Sequence, residues 1–77
     1  MELLFYTTDQ CHLCELAEAL LANTPTPQPI PVNVVDIAQS EQLVARYGTR
    51  IPVLRRSDTG NELSWPFTQN QLLSFLQ

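Results

Sequence analysis

The stretch Glu2-Leu3-Leu4-Phe5-Tyr6-Thr7-Thr8-Asp9-Gln10-Cys11-His12-Leu13-Cys14 passes from a strand pattern to a helical one. Residues 2–7 are an aliphatic and aromatic run that fits a strand buried on both faces. Thr7, Thr8 and Asp9 then offer side-chain oxygens that can cap a helix. From Leu13 the spacing becomes helical: Leu13, Leu16, Ala17, Leu20 and Leu21 fall on one stripe, with Glu15 and Glu18 off it. The helix is expected to end near Asn23-Thr24.

Cys11 and Cys14 are the only cysteines. Two intervening residues allow a small-ring disulfide. At a helix start, unpaired backbone N–H groups favour negative charge and lower the pKa of the leading thiol. Thiol–disulfide exchange needs one exposed, low-pKa sulfur and a second to resolve the mixed disulfide. Cys11 is the expected nucleophile. Cys14, one turn on and turned toward Ala17 and Leu21, is the expected buried resolving thiol. His12, if protonated, would stabilise the Cys11 thiolate, whereas Asp9 would oppose it. An inert cysteine pair and an ordinary exposed histidine are the competing readings. Cys11, His12 and Cys14 make a poor metal set, because adjacent residues rarely converge on one ion and no second ligand pair follows.

Outward from this stretch, residues 24–31 read Thr-Pro-Thr-Pro-Gln-Pro-Ile-Pro. Proline at alternate positions forbids helix and suits an extended crossover; a proline-rich recognition motif is the alternative. Val32–Ile37 reads as a second strand. Asp36 is expected to open the next helix, with Gln39 completing a capping box. Leu43, Val44 and Tyr47 form that helix's apolar face, and Gly48 suits a C-terminal cap. These segments make a βαβ unit with parallel strands and a right-handed crossover. Ile51–Arg56 is a third strand, Ser57-Asp58-Thr59-Gly60 a turn, and Asn61–Ser64 a short return strand suited to a sheet edge. Arg55-Arg56 is expected to be a solvated edge pair. Thr68–Gln71 is a further capping box, with Phe67 able to staple onto Leu72. Leu72, Leu73, Phe75 and Leu76 form a terminal helix face. Pro52 is tolerated at a strand start. If the Ile51-Pro52 bond is cis, the Ile51 backbone N–H and C=O would face an incoming peptide.

The chain has 77 residues, of which 44% are hydrophobic, enough for one small domain spanning 1–77. Its net charge of −4, with four arginines and no lysine, argues against nucleic acid or an anionic membrane as partner. No run approaches the ~20 apolar residues of a spanning helix. The first residues lack a basic, cleavable leader pattern, so a cytoplasmic location is expected. In a reducing compartment, a four-residue disulfide ring is a poor permanent staple.

The order βαβαββα with Cys11-His12-Leu13-Cys14 at the first helix resembles the thioredoxin fold in its glutaredoxin-sized form. Phe5-Tyr6-Thr7-Thr8, Val34-Val35-Asp36-Ile37, Arg46-Tyr47-Gly48, Ile51-Pro52-Val53-Leu54 and Trp65-Pro66-Phe67 are similar to the small bacterial glutaredoxin-like proteins of the domain-of-unknown-function 836 type. The resemblance implies an α/β fold with a four-stranded mixed sheet in the order 2-1-3-4, flanked by three helices. It also implies a cis bond before Pro52 and a site built from Cys11, Cys14 and the Ile51-Pro52 loop. The lysine and Gly-Gly pair with which many glutaredoxins hold glutathione have no counterpart here. Ser64-Trp65-Pro66 replaces the glycines, and Gln10 stands where thioredoxins have tryptophan. Arg50 or Arg46 could bind a carboxylate instead.

The leading expectation is therefore a thiol–disulfide oxidoreductase acting on protein or small-molecule disulfides, with no tightly bound cofactor and glutathione as a candidate co-substrate. Cys11 and Cys14 would be catalytic, His12 would tune the thiolate, and Ile51, Pro52, Arg50 and Trp65 would contact substrate. A packing role for Trp65 is the competing reading. The alternatives for the whole chain are a non-catalytic protein-binding module and a Cys-ligated metal or cluster carrier.

Overall fold

A computed structural model describes residues 1–77. Leu3–Thr7 (β1) leads to His12–Ala22 (α1), Val32–Asp36 (β2), a 3-10 turn at Ile37–Gln39, Glu41–Tyr47 (α2), Val53–Arg56 (β3), Glu62–Ser64 (β4) and Gln69–Phe75 (α3). The sheet order is β2-β1-β3-β4. β1 pairs parallel with β2, whereas β1–β3 and β3–β4 are antiparallel. The fold is the α/β arrangement expected, with its mixed sheet and three helices.

Both faces of β1 are covered, which is why its sequence does not alternate. On one face Phe5 packs with Cys14, Ala17, Leu54, Phe67 and Leu72, beneath α1 and α3. On the other, Tyr6 packs with Ile37, Tyr47 and Val53, beneath α2 and the 3-10 turn. The strand period of two sends adjacent residues Phe5 and Tyr6 to opposite cores, and register carries Leu54 and Val53 with them.

Several local expectations are corrected. Thr7, Thr8 and Asp9 do not cap α1; the cap is Cys11, whose sulfur accepts the N–H of Cys14. Cys14 and Ala17 are buried as expected, but Leu13 and Leu16 are 47% and 44% exposed, because α1 is rotated to turn that end of the stripe outward. Asp36 caps only the 3-10 turn, through the N–H of Ala38, and α2 restarts with Ser40 as its cap. Val44 is 46% exposed, leaving Tyr47 as the buried residue of α2. Regular pairing in the third strand begins at Val53, so Ile51 and Pro52 belong to the loop before it. Thr68 and Gln71 form the expected capping box.

Arg56 is not a solvated edge residue. Its guanidinium grips the Asp58 carboxylate through two bonds of 2.9 and 2.7 Å and donates to the carbonyls of Phe75 and Gln77 at 2.8 and 2.6 Å. The fork thus ties the β3–β4 turn to the C-terminal end of α3 and meets carbonyls that the helix leaves unpaired.

Tyr47 joins α2 to β4. Its ring stacks on Tyr6 at a centroid distance of 4.2 Å, and its hydroxyl donates to the Glu62 carboxylate. Arg50 also donates to Glu62, at 3.1 Å, with Arg46 nearby at 3.9 Å. Burial, and then the bond to Glu62, push the Tyr47 phenol from 10.0 up to about 12. Burial pushes the Glu62 carboxyl up, but the bonds from Tyr47 and Arg50 and the arginine charges together outweigh it and hold it low.

A phenol held protonated by the fold contributes stability that is complete below pH 10.0 and is lost as pH climbs through about 12. Tyr47→Phe is expected to lower the unfolding free energy at neutral pH by about 1–2 kcal/mol, measured in urea. It is also expected to remove the late step from an absorbance titration of tyrosinate. Gly48 caps the C-terminal end of α2, as expected, with its backbone in the right-handed helical region. Glycine is required there for space, since a Cβ would lie 2.5 Å from the Val44 carbonyl oxygen. Gly48→Ala should therefore destabilise by roughly 1–3 kcal/mol in the same urea measurement.

Candidate redox site

The chain leaves β1 at Thr7 and must reverse direction to enter α1. It does so at Gln10, whose φ of 59° lies in the left-handed region. For a residue with a Cβ this conformation costs about 1–2 kcal/mol. The reversal places Cys11 in extended geometry at the helix cap. Cys11 and Cys14 are joined by a disulfide, with their Cα atoms 5.2 Å apart. The Cys11 sulfur lies 3.1 Å from the Cys14 backbone nitrogen, and the Cys11 carbonyl receives the N–H of Glu15. A sulfur in this position fills the place of a capping oxygen and meets the positive end of the helix dipole.

The two sulfurs differ in surroundings. Cys14 is 3% exposed and belongs to the α1–α3 core. Cys11 is half-buried, rests on the edge of that core and lines a cleft open to solvent. The cleft has a volume of about 310 Å³ and is bordered by Thr7, Thr8, Gln10 and Glu18 on one side and by Val34 and Asp36 of β2 on the other. His12 is exposed, and its Nδ1 faces the Glu15 carboxylate at 3.7 Å. No three His, Cys, Asp or Glu side chains converge as a metal site.

The remaining candidate residues lie at the C-terminal end of α2 and beyond. The Ile51-Pro52 bond is cis, as is Trp65-Pro66, which nothing in the sequence distinguished. Ile51 packs against both cores, and Pro52 is fully buried. One expectation for this loop changes: the Ile51 N–H is taken by the Tyr47 carbonyl at 3.0 Å and does not face a substrate. The Ile51 carbonyl accepts no hydrogen bond. Arg50 lies next in the chain, with its guanidinium on Glu62 and on Ser64 at 3.1 Å. Trp65 donates its backbone N–H to the Pro52 carbonyl, and its ring meets Phe67 edge-on at 5.1 Å. The sheet therefore brings Cys11, Ile51 and Trp65 to the margin of one core. Arg50 is directed to β4, and His12 to Glu15.

Two contributors escaped the sequence reading. Gln10 carries no sign of its left-handed backbone, since glycine or asparagine is the usual signal. Glu62 read as part of a polar edge strand, whereas it collects Tyr47, Arg46 and Arg50. Replacing Gln10 by glycine relieves the strained conformation at the junction, offset in part by the greater freedom of glycine in the unfolded chain. Gln10→Gly is expected to raise stability of the oxidised protein by about 0.5–1 kcal/mol, read from urea midpoints at unchanged slope.

Solved structures confirm the architecture. The X-ray structure of Northeast Structural Genomics target protein XcR50 from X. campestris superposes with a TM-score of 0.83 at 38% identity, covering 96% of this chain and 93% of that one. The solution structure of the same target gives 0.82 at 38% identity, covering 99% and 92%. Thioredoxin 1 from Thermosipho africanus TCF52B shares the fold at a TM-score of 0.71 and 14% identity, covering 99% and 90%. No curated protein sequence matches significantly. The family model for the glutaredoxin-like domain (DUF836) matches residues 2–77. With a match over nearly its whole length and a cysteine pair capping the first helix of a thioredoxin-like sheet, the chain belongs to the glutaredoxin-like (DUF836) family.

Proposed function

We propose that the chain is a thiol–disulfide oxidoreductase of the glutaredoxin-like type, acting on protein or small-molecule disulfides. The observation that carries this reading is the asymmetry of the pair: one sulfur caps a helix at an open cleft, and its mate is 3% exposed. In the reduced protein the Cys11 thiolate attacks one sulfur of a substrate disulfide. That S–S bond breaks, and the departing thiolate takes a proton from solvent. A mixed disulfide between Cys11 and the attacked substrate sulfur remains. Cys14 then loses its proton and attacks the Cys11 sulfur, closing the internal disulfide and releasing the second substrate thiol. In total, two protein thiols are oxidised and one substrate disulfide is reduced to two thiols.

The cap N–H of Cys14 and the helix dipole favour the Cys11 thiolate both as attacking group and as leaving group. The core around Cys14 keeps the resolving sulfur from external disulfides. On this reading the Ile51 carbonyl and the Pro52 loop, backed by Trp65, steady the substrate backbone beside Cys11. His12 adds positive charge near the thiolate when protonated, and Arg50 offers a guanidinium to a substrate carboxylate if it leaves Glu62. The chemistry needs no tightly bound cofactor, and glutathione is a candidate reductant of the internal disulfide. A reducing compartment such as the cytoplasm would return the pair to its dithiol form. No helix is long and apolar enough to cross a membrane.

Exchange assays with hydroxyethyl disulfide and with insulin test the proposal. Cys11→Ser is expected to abolish turnover. Cys14→Ser is expected to retain the first attack and stall as a mixed disulfide detectable by mass spectrometry. In the reduced protein at neutral pH, iodoacetamide should label Cys11 at least about tenfold faster than Cys14. A protein inert in both assays, with Cys11 no more reactive than a free thiol, would overturn the reading.

A further inference from the structure

One face of β2 has no cover. The strand lies at the sheet edge, while α1 and α3 pack over β1 and β3, so Val32 and Val34 remain 41% and 61% exposed. A groove of about 310 Å³ runs between this face and α1, floored by Leu3 and Phe5 and bounded farther on by Ile30 and Leu76. Glu18 and Val34 line both this groove and the cleft at the disulfide, so the two form one channel. Its helical wall is the stripe Cys14, Glu18, Leu21 and Ala22, and its strand wall is Val32, Val34 and Asp36. The channel is apolar at the far end and acidic at the sulfurs.

The acidic end has no internal counter-charge among the arginines. Asp9, Glu15, Glu18 and Asp36 border it, and no arginine lines either part of the channel. Arg46 and Arg50 sit on Glu62, Arg56 sits on Asp58, and Arg55 lies in β3. A chain of net charge −4 with its carboxylates gathered here repels anionic lipids and acidic peptides and attracts cations. The wall from Cys11 to Ala22 rises about 16 Å at the helical rise per residue. That length matches about five residues of extended peptide.

We propose that this channel docks the polypeptide flanking the reactive cysteine of a protein disulfide. The fitting segment is extended, carries lysine or arginine beside its cysteine, and places an aliphatic or aromatic side chain about five residues away, over Leu3 and Phe5. This names a substrate class for the exchange reaction and rests on that reading.

The test uses the reduced full chain and synthetic peptides whose single cysteine is capped by a chromogenic thiol. Each rate is divided by the same protein's rate with hydroxyethyl disulfide. The basic peptide with a distant leucine is expected to react at least about tenfold faster than its acidic counterpart, an advantage that shrinks as salt is raised. Exchanging its leucine for serine should lower the rate several-fold. Glu18→Lys, at an exposed position, should bring the basic-to-acidic ratio near one, with the milder Glu18→Gln moving it the same way, and Val34→Asp, also at an exposed position, should bring the leucine-to-serine ratio near one. Equal ratios for all peptides, a preference for acidic ones, a basic preference untouched by the Glu18 variants, or a leucine preference untouched by Val34→Asp would overturn the docking proposal while exchange stands. Inertness toward hydroxyethyl disulfide and every peptide would instead overturn the exchange reading, and the docking role with it.

Discussion

Cys11 holds two positions at once: it is the first cap of α1 and one half of the disulfide. A sulfur can fill the capping role only if the chain breaks direction just before it, and the break is the left-handed Gln10. The strain of that turn persists because both ends are fixed. β1 is pinned by burial on its two faces, through Phe5 on one side and Tyr6 on the other. α1 is pinned by Cys14 and Ala17 in the core. The position of the Cys11 sulfur is thus set by the centre of the sheet.

A separate network holds the loop before β3. The carbonyl of Tyr47 receives the N–H groups of both Arg50 and Ile51, at 2.8 and 3.0 Å, which turns the chain from α2 toward Pro52. The same residue fixes β4 through its hydroxyl on Glu62. β4 in turn leads to Trp65, whose N–H closes on the Pro52 carbonyl. One buried tyrosine therefore links the second helix, the proline loop and the edge strand. One residue along β3 from the partner of Glu62, Arg56 makes a comparable link, joining the β3–β4 turn to the carbonyls of Phe75 and Gln77.

Three helices over four strands cannot cover the sheet evenly. α1 and α3 share the face over β1 and β3, so β2 is left open on that side, and its valines face solvent beside the acidic cleft. An exposed Val34 a strand's width from buried Phe5 is a consequence of this layout, since the two are register partners. The disulfide accordingly borders an open cleft on its β2 side.

Much of this was legible in the residues themselves. The change from an apolar run to helical spacing around Cys11 and Cys14, the alternating prolines and the turn at Ser57–Gly60 determine the order of elements, because each depends on local backbone preference. Thr68 and Gln71 determine their capping box for the same reason. Rotation of α1 about its axis was not legible: Leu13 and Leu16 are as apolar as Leu20 and Leu21, and only contact with α3 and the sheet selects which side is buried. Nor could local sequence show that Cys11 rather than Asp9 caps the helix, that the Ile51 N–H is bound within the protein, or that Arg56 and Glu62 are bound by groups distant in the chain. Those outcomes depend on groups far apart along the chain arriving within a few ångströms of one another, which spacing along a sequence does not encode and packing does.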